Sequence, residues 1–152
     1  WRMTEMQAAI GIIQLNRIKE WHIKRLKNAK KIWSTAKKTK GLRAPSLHDY
    51  IEHAAYKCYV FVELSYLKDD WSRERIIDEI KLEGVPCYIG SSSELYLEKP
   101  FENAGFQPQN NLPNAKKLGE ESLMFLVHPT LTIEEIDKTC AIISTVMRMA
   151  VK

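Results

Sequence analysis

Along the opening stretch of the chain, Met3, Met6, Ile10, Ile13, Ile18, Trp21, Leu26 and Ile32 or Trp33 recur mostly at three- and four-residue steps, with longer steps after Ile13 and Trp21. That spacing predicts an amphipathic helix. Thr4 and Gln7 form a capping box at its start, in which the hydroxyl accepts from a free amide and the glutamine side chain reaches back. Gly41 is a stop signal. A helix of about 33 residues spans roughly 50 Å at about 1.5 Å per residue. That is too long for a small compact domain, so the pattern predicts a strut joining two domains or lying across a partner subunit.

The period then changes. Residues 41–50, with Pro45, Ser46 and Asp49, read as a loop or a short edge strand. From Tyr56 to Leu64 the period is two: Tyr56, Cys58, Val60, Val62 and Leu64 point one way, Lys57, Tyr59, Phe61 and Glu63 the other. Aromatic and branched residues at that period predict a strand, central because both faces carry apolar groups. Ile76, Ile77 and Ile80 mark the inner stripe of a helix over about 72–83, ended by Gly84. Residues 85–89 predict a short strand. Residues 90–112 read as irregular, and a connection that long is more often functional than accidental. Pro113 opens a short helix containing Leu118, and residues 123–127 a third strand. Thr132 and Glu135 form a second capping box, opening a last helix with Ile136, Cys140, Ile143 and Met147 on one face. Strands interspersed with helices on a small sheet predict a two-layer α/β sandwich.

Composition narrows the class. The chain has 152 residues and a formal net charge of +4, which fits one domain, or one domain and a connecting helix. The positive charge is uneven. Lys24, Arg25, Lys27, Lys30, Lys31, Lys37 and Lys38 stand against the single acid Glu20 in the stretch from Lys19 to Lys40. Such a run reads first as the solvated face of a helix and second as a nucleic-acid contact. No aromatic-rich RNA platform or zinc-finger spacing accompanies it. Cys58, Cys87 and Cys140 lie far apart and outside C-x-x-C spacing, so they read as buried thiols in a reducing cytosol. No uninterrupted apolar run reaches the roughly 18 residues needed to cross a bilayer, and no signal peptide is visible. The first residue is Trp1 and a helical pattern starts almost at once, which reads as a piece of a longer protein.

Self-contained catalytic signatures are missing: no H-E-x-x-H, G-x-S-x-G, P-loop or G-x-G-x-x-G occurs. His22, His48, His53 and His128 lack metal-ligand spacing. The densest polar constellation runs from Cys87 to Tyr96. There a strand leads into Gly90, three hydroxyls at Ser91, Ser92 and Ser93, the carboxylate of Glu94 and the phenol of Tyr96. These groups suit a hydroxylated or phosphorylated ligand, although an ordinary serine-rich turn has the same composition.

The run Trp1-Arg2-Met3-Thr4-Glu5-Met6-Gln7-Ala8-Ala9-Ile10-Gly11, followed by Gln14-Leu15, closely resembles a signature of the DegT/StrS sugar-aminotransferase family. Many non-periodic positions agree together. Two further blocks resemble the family in order: His53 to Val62, like its aromatic strand, and Leu126-Val127-His128-Pro129-Thr130-Leu131-Thr132, like the block before its last helix. The resemblance implies the small carboxy-terminal domain of a fold-type-I enzyme, with a largely antiparallel sheet. Residues 1–40 would be an inter-domain or dimer helix and residues 41–152 the small domain.

It also implies pyridoxal phosphate held as a Schiff base by a lysine upstream of this chain. That cofactor moves an amino group, usually from glutamate, onto a nucleotide-linked keto-sugar for polysaccharide or cell-surface glycan biosynthesis. The implied partners are the protein's own amino-terminal cofactor domain and a second copy in a cytoplasmic homodimer, with no nucleic acid and no membrane. The chain alone is expected to be inactive. Arg2 would brace the cofactor's phosphate loop indirectly, or anchor the helix start by an ion pair. Tyr88, Ser91, Ser92 and Ser93 occupy the position of the family's sugar-facing loop. Gly90-Ser91-Ser92-Ser93-Glu94-Leu95-Tyr96 departs from the usual G-x-x-x-Y-P-x-x-x-H pattern and is expected to select the sugar. Lys57 lies on a strand and does not match the Schiff-base lysine; His128 is expected to be structural. Alternatives are a sugar dehydratase of the same family and a basic-helix binding or dimerisation module.

Overall fold

The protein is described here from a computed structural model that covers residues 2–152. Trp1, the first residue of the amino-terminal signature, lies outside the described residues. Helix α1 (Glu5–Lys38) is followed by β1 (Leu42–Arg43), β2 (Cys58–Val62), α2 (Arg73–Leu82), β3 (Cys87–Tyr88), α3 (Lys99–Asn103), α4 (Pro113–Glu121), β4 (Ser122–Phe125) and α5 (Ile133–Ala150). The sheet order is β1-β2-β4-β3, and every pair is antiparallel. The two-layer α/β architecture, the small antiparallel sheet and the long first helix are those the sequence predicts.

Alternation in β2 places Cys58, Val60 and Val62 on the core face, all fully buried. Cys58 and Cys87 both stand in register with Phe125. The predicted ends of that alternation, Tyr56 and Lys57 on one side and Glu63 and Leu64 on the other, do not join the strand. Tyr56 precedes the strand and is exposed, and Leu64 starts a 3₁₀ turn and is partly exposed. Ile76, Ile77 and Ile80 of α2 and Ile136, Cys140, Ile143 and Met147 of α5 close over the sheet as their spacing predicts. All three cysteines are buried, unpaired thiols.

Helix α1 behaves as two segments. Both hydrogen bonds of the Thr4–Gln7 capping box form. Downstream, Ala29, Ile32, Trp33 and Ala36 are buried, and Trp33 Nε1 donates to the Tyr59 carbonyl at 3.0 Å. Upstream, Met6, Ile10, Ile12, Ile13, Leu15, Ile18 and Ile23 are each more than half exposed. At about 100° per residue, Ile12 and Ile23 fall nearly opposite Ile10 and Met3. The upstream half is therefore apolar on more than one side rather than along the single stripe its spacing predicts. The basic residues between Lys19 and Lys38 are on the surface. Lys24 pairs with Glu20 at 2.6 Å, and Lys31 pairs with Asp137 of α5.

One predicted loop contains structure. Residues 90–112 hold a 3₁₀ turn, Leu95–Leu97, and the short helix α3. Neither shows an apolar period, because neither buries a residue in the core.

Candidate functional site

The core-facing residues of β2 alternate with Tyr59 and Phe61, which lie on the sheet's other face, and Lys57, expected on the strand, sits in the bend just before it and reaches the same Ser91 hydroxyl as Tyr59. Tyr59 stands opposite Met124 in the register, and Met124 opposite Tyr88, so these three form a row across that face. Strand β3 ends at Tyr88. The chain then turns away at Ile89, whose carbonyl accepts from Ser122 Oγ at 3.0 Å.

Gly90 follows with φ +89° and lies flat against Tyr59. A Cβ at this position would sit 2.7 Å from the phenol oxygen, so both the backbone and the contact require glycine. The next amide, of Ser91, donates to Tyr59 Oη at 3.1 Å. Lys57 Nζ donates to Ser91 Oγ at 2.7 Å, and Tyr59 Oη approaches the same oxygen at 3.5 Å. Burial raises the Tyr59 pKa, but the hydrogen bonds with Ser91 and the Lys57 charge outweigh it, leaving the phenol below the ordinary tyrosine value.

The far end of the loop is closed by Tyr96. Its hydroxyl donates to Glu94 Oε1 at 2.6 Å and accepts from the Leu112 amide at 3.1 Å. The hydrogen bond to the Glu94 carboxylate, with some desolvation, holds the Tyr96 phenol above its usual pKa. Ser93 packs on Gly119 of α4, where an added Cβ would strike the Ser93 hydroxyl. Helix α4 is in turn held from two sides. Arg73 Nη1 donates to the Gly119 carbonyl, and the buried Glu121 carboxylate accepts from Arg43 Nη2 at 2.7 Å. The Arg43 guanidinium lies 4.2 Å from the Phe61 ring centroid.

Of the sequence-predicted site residues, Ser91 is joined to the sheet face and Ser93 to α4. Ser92 is exposed on the loop. Tyr88 is exposed at the sheet edge, with Lys81 Nζ 5.8 Å from its ring centroid. Arg2 is exposed ahead of α1, and the ion pair expected to anchor the helix start does not form among the described residues. His128 Nδ1 meets Thr130 Oγ1 at 2.7 Å in the turn before α5, and its carbonyl accepts from Asn28 Nδ2 at 3.4 Å. Both contacts tie His128 into that turn. Lys57 and Tyr59 are the residues that sequence reasoning left out of the site. The signal for them is the strand alternation itself, which puts both on the face away from the core.

Every lysine is exposed except Lys57, which is partly buried and bonded to Ser91. Among the described residues, no group of three His, Cys, Asp or Glu side chains is placed to hold a metal ion, and no helix is long and apolar enough to cross a membrane.

Comparison with known proteins agrees with this architecture. The model of the DegT/DnrJ/EryC1/StrS aminotransferase family matches residues 1–144. An aminotransferase from Psychrobacter cryohalolentis, solved by X-ray crystallography, is 52% identical over 98% of this chain and 40% of its own, with a TM-score of 0.91. Spr1654 from Streptococcus pneumoniae, named as a sugar aminotransferase and solved in its PLP form, shares the fold at 23% identity. That match covers 97% of this chain and 36% of the other, with a TM-score of 0.81. MJ1066 of Methanocaldococcus jannaschii, an uncharacterized protein, is 24% identical over 136 residues, covering 90% of this chain and 34% of its own length. The chain thus spans about two-fifths or less of each of these proteins.

Proposed function

This chain belongs to the DegT/DnrJ/EryC1/StrS aminotransferase family, and from that premise we propose that it is the carboxy-terminal part of an enzyme that aminates a nucleotide-linked keto-sugar. The family is pyridoxal-phosphate-dependent, and when bound the cofactor serves as the electron sink of amino transfer. In this reading the cofactor is held by the protein's other domain. Glutamate is the amino donor, and the amino sugar goes to polysaccharide or cell-surface glycan assembly in the cytoplasm. Residues 1–40 link the domains and residues 41–152 form the small domain.

The match of nearly the whole chain to the family carries this reading. The two-segment α1 supports the partner assignment. A helix apolar on several sides is stable only when covered, and the upstream half of α1 is uncovered here. The amino-terminal domain and a second copy in a homodimer would supply that cover. Tyr88, Ser91, Ser92 and Ser93 would then form a wall of the sugar site. Hydrogen bonds to Lys57 and Tyr59 hold Ser91 in place, and the Gly119 contact seats Ser93. Arg2, next to the cofactor's phosphate loop in the family pattern, would brace that loop from outside.

The test uses the intact protein loaded with pyridoxal phosphate, ¹⁵N-glutamate and a panel of nucleotide-linked keto-sugars, read by mass spectrometry. One or more sugars should gain a labelled amino group. Loss of a sugar hydroxyl without gain of nitrogen would replace the reading with a dehydratase. Deamination of glutamate with no sugar labelled would end the sugar assignment altogether.

A further inference from the structure

The bonding around Ser91 bears on what its hydroxyl can recognise. An ammonium group only donates, so Ser91 Oγ must accept from Lys57 Nζ. The Tyr59 hydroxyl, 3.5 Å away, also faces that oxygen. The Ser91 O–H is then left as a donor on an exposed loop, beside a lysine whose other N–H groups have no protein acceptor among the described residues.

The charge balance points the same way. Lys57 borders an open cleft of about 210 Å³, with Arg25, Tyr56 and His128 beside it and Met124 and Leu126 among its lining. Among the described residues, no carboxylate lines this cleft. Neither Lys57 nor Arg25 forms an ion pair among the described residues. Some surface cations elsewhere do find acids, such as Lys24 with Glu20, Arg75 with Asp70 and Lys152 with Asp69; what sets Lys57 apart from the other unpaired lysines is its bond to Ser91 at the edge of a cleft. Two unpaired cations at one cleft, one of them bonded to a hydroxyl that keeps its own proton to donate, are the complement of an anionic oxygen, and a ligand hydroxyl presented as a donor would find no partner at Ser91.

We propose that Lys57 and Ser91, with Arg25 at the same cleft, form a subsite for an anionic oxygen group of the acceptor substrate. The subsite rests on the reading that this loop faces a nucleotide-linked sugar. Two groups of such a molecule have the required chemistry: a carboxylate on the sugar ring and the diphosphate of the nucleotide. Tyr59 is a positioning residue here. It holds the Ser91 amide and carries no charge of its own to the ligand while protonated.

The experiment measures inhibition of the intact, cofactor-loaded enzyme by uridine diphosphate, UDP-glucose and UDP-glucuronate, for wild type and for Lys57→Met, Lys57→Arg and Ser91→Ala. The glutamate half-reaction, followed by the cofactor's absorbance, reports that each variant is folded and loaded. Losing a charge-assisted hydrogen bond should weaken binding roughly tenfold to a hundredfold. If Lys57→Met weakens UDP-glucuronate alone, with Lys57→Arg restoring most of the loss, the subsite reads a ring carboxylate. If it weakens all three probes alike, the subsite reads the diphosphate. Ser91→Ala should weaken the same probes to a smaller degree. Unchanged inhibition in Lys57→Met overturns the subsite but leaves the aminotransferase reading intact. Slowing of the glutamate half-reaction alone overturns it too, by placing the charge on the donor side. Failure of all three probes to bind the wild type removes the nucleotide-sugar premise itself.

Discussion

The two faces of one five-residue strand, β2, follow different physics. On the inner face, Cys58, Val60 and Val62 are fully buried, with Leu123 and Phe125 of β4 beside them. Their contribution is area removed from water and close packing, and any apolar set of similar volume would serve nearly as well. On the outer face, Tyr59 and Phe61, with Lys57 just before the strand, each have a specific polar or cationic partner: the Ser91 amide, Arg43 and Ser91 Oγ. Each of these contacts contributes little to stability, but each fixes the position of a named atom. The contrast teaches that the period-two pattern does two jobs in a single strand, one side anchoring the domain and the other aiming the loop.

The comparison breaks first, and most severely, at the core. Phe125→Ala opens a cavity beneath the sheet and should cost about 3–5 kcal/mol, read as a lowered urea midpoint of the intact protein. Binding of sugar nucleotide per folded molecule should be little changed. Gly90→Ala comes next. It forces a side chain into positive φ and against the Tyr59 phenol, at a cost of roughly 1–3 kcal/mol. Here the KM for the sugar acceptor should rise more than stability falls. An unchanged KM would mean that the loop's aim is irrelevant.

A pH titration sharpens the contrast because the two faces shift in opposite senses. Burial pushes the Cys87 thiol up to about 12, above its unfolded value of about 9. The native state thus favours the protonated thiol. That stability is fully present below pH 9 and is lost as pH rises from there through about 12. By pH 10 the loss is on the order of 1 kcal/mol. Cys58 is shifted up for the same reason, desolvation. The Tyr59 pKa is lowered instead, so its contribution is present above the unfolded tyrosine value and is lost as pH falls through the folded one. Urea titrations at pH 8 and pH 10 should show the wild type weakening, and Cys87→Ala should weaken less. A wild type equally stable at both values would contradict the burial argument. The smallest effect belongs to Tyr59→Phe, which removes one acceptor for the Ser91 amide at about 0.5–1 kcal/mol. The urea midpoint should barely move, while the sugar KM rises a few-fold with the glutamate half-reaction unchanged.

Local sequence rules account for most of the fold. Capping at Thr4 and Thr132, the stop at Gly84, the isoleucine stripe of α2 and the alternation of β2 are interactions between near neighbours, so spacing alone reveals them. The signature from Arg2 onward identified the family for the same reason: it is a contiguous string. The site was legible only in part. Tyr88 and the three serines were visible as a dense polar run, but α3 inside the loop was not, since it has no core to give it a period.

Amino-acid order by itself determined which residues are helical, which face of β2 is apolar and which family the chain belongs to, because those properties depend on separations of a few residues. Tertiary structure alone decided that Lys57 and Tyr59 meet Ser91 more than thirty positions away, that Gly119 seats Ser93, and that the upstream half of α1 stands uncovered. Those outcomes depend on how β3 and β4 align beside β2 and on where the core ends, and sheet register and packing volume are set by the assembled whole.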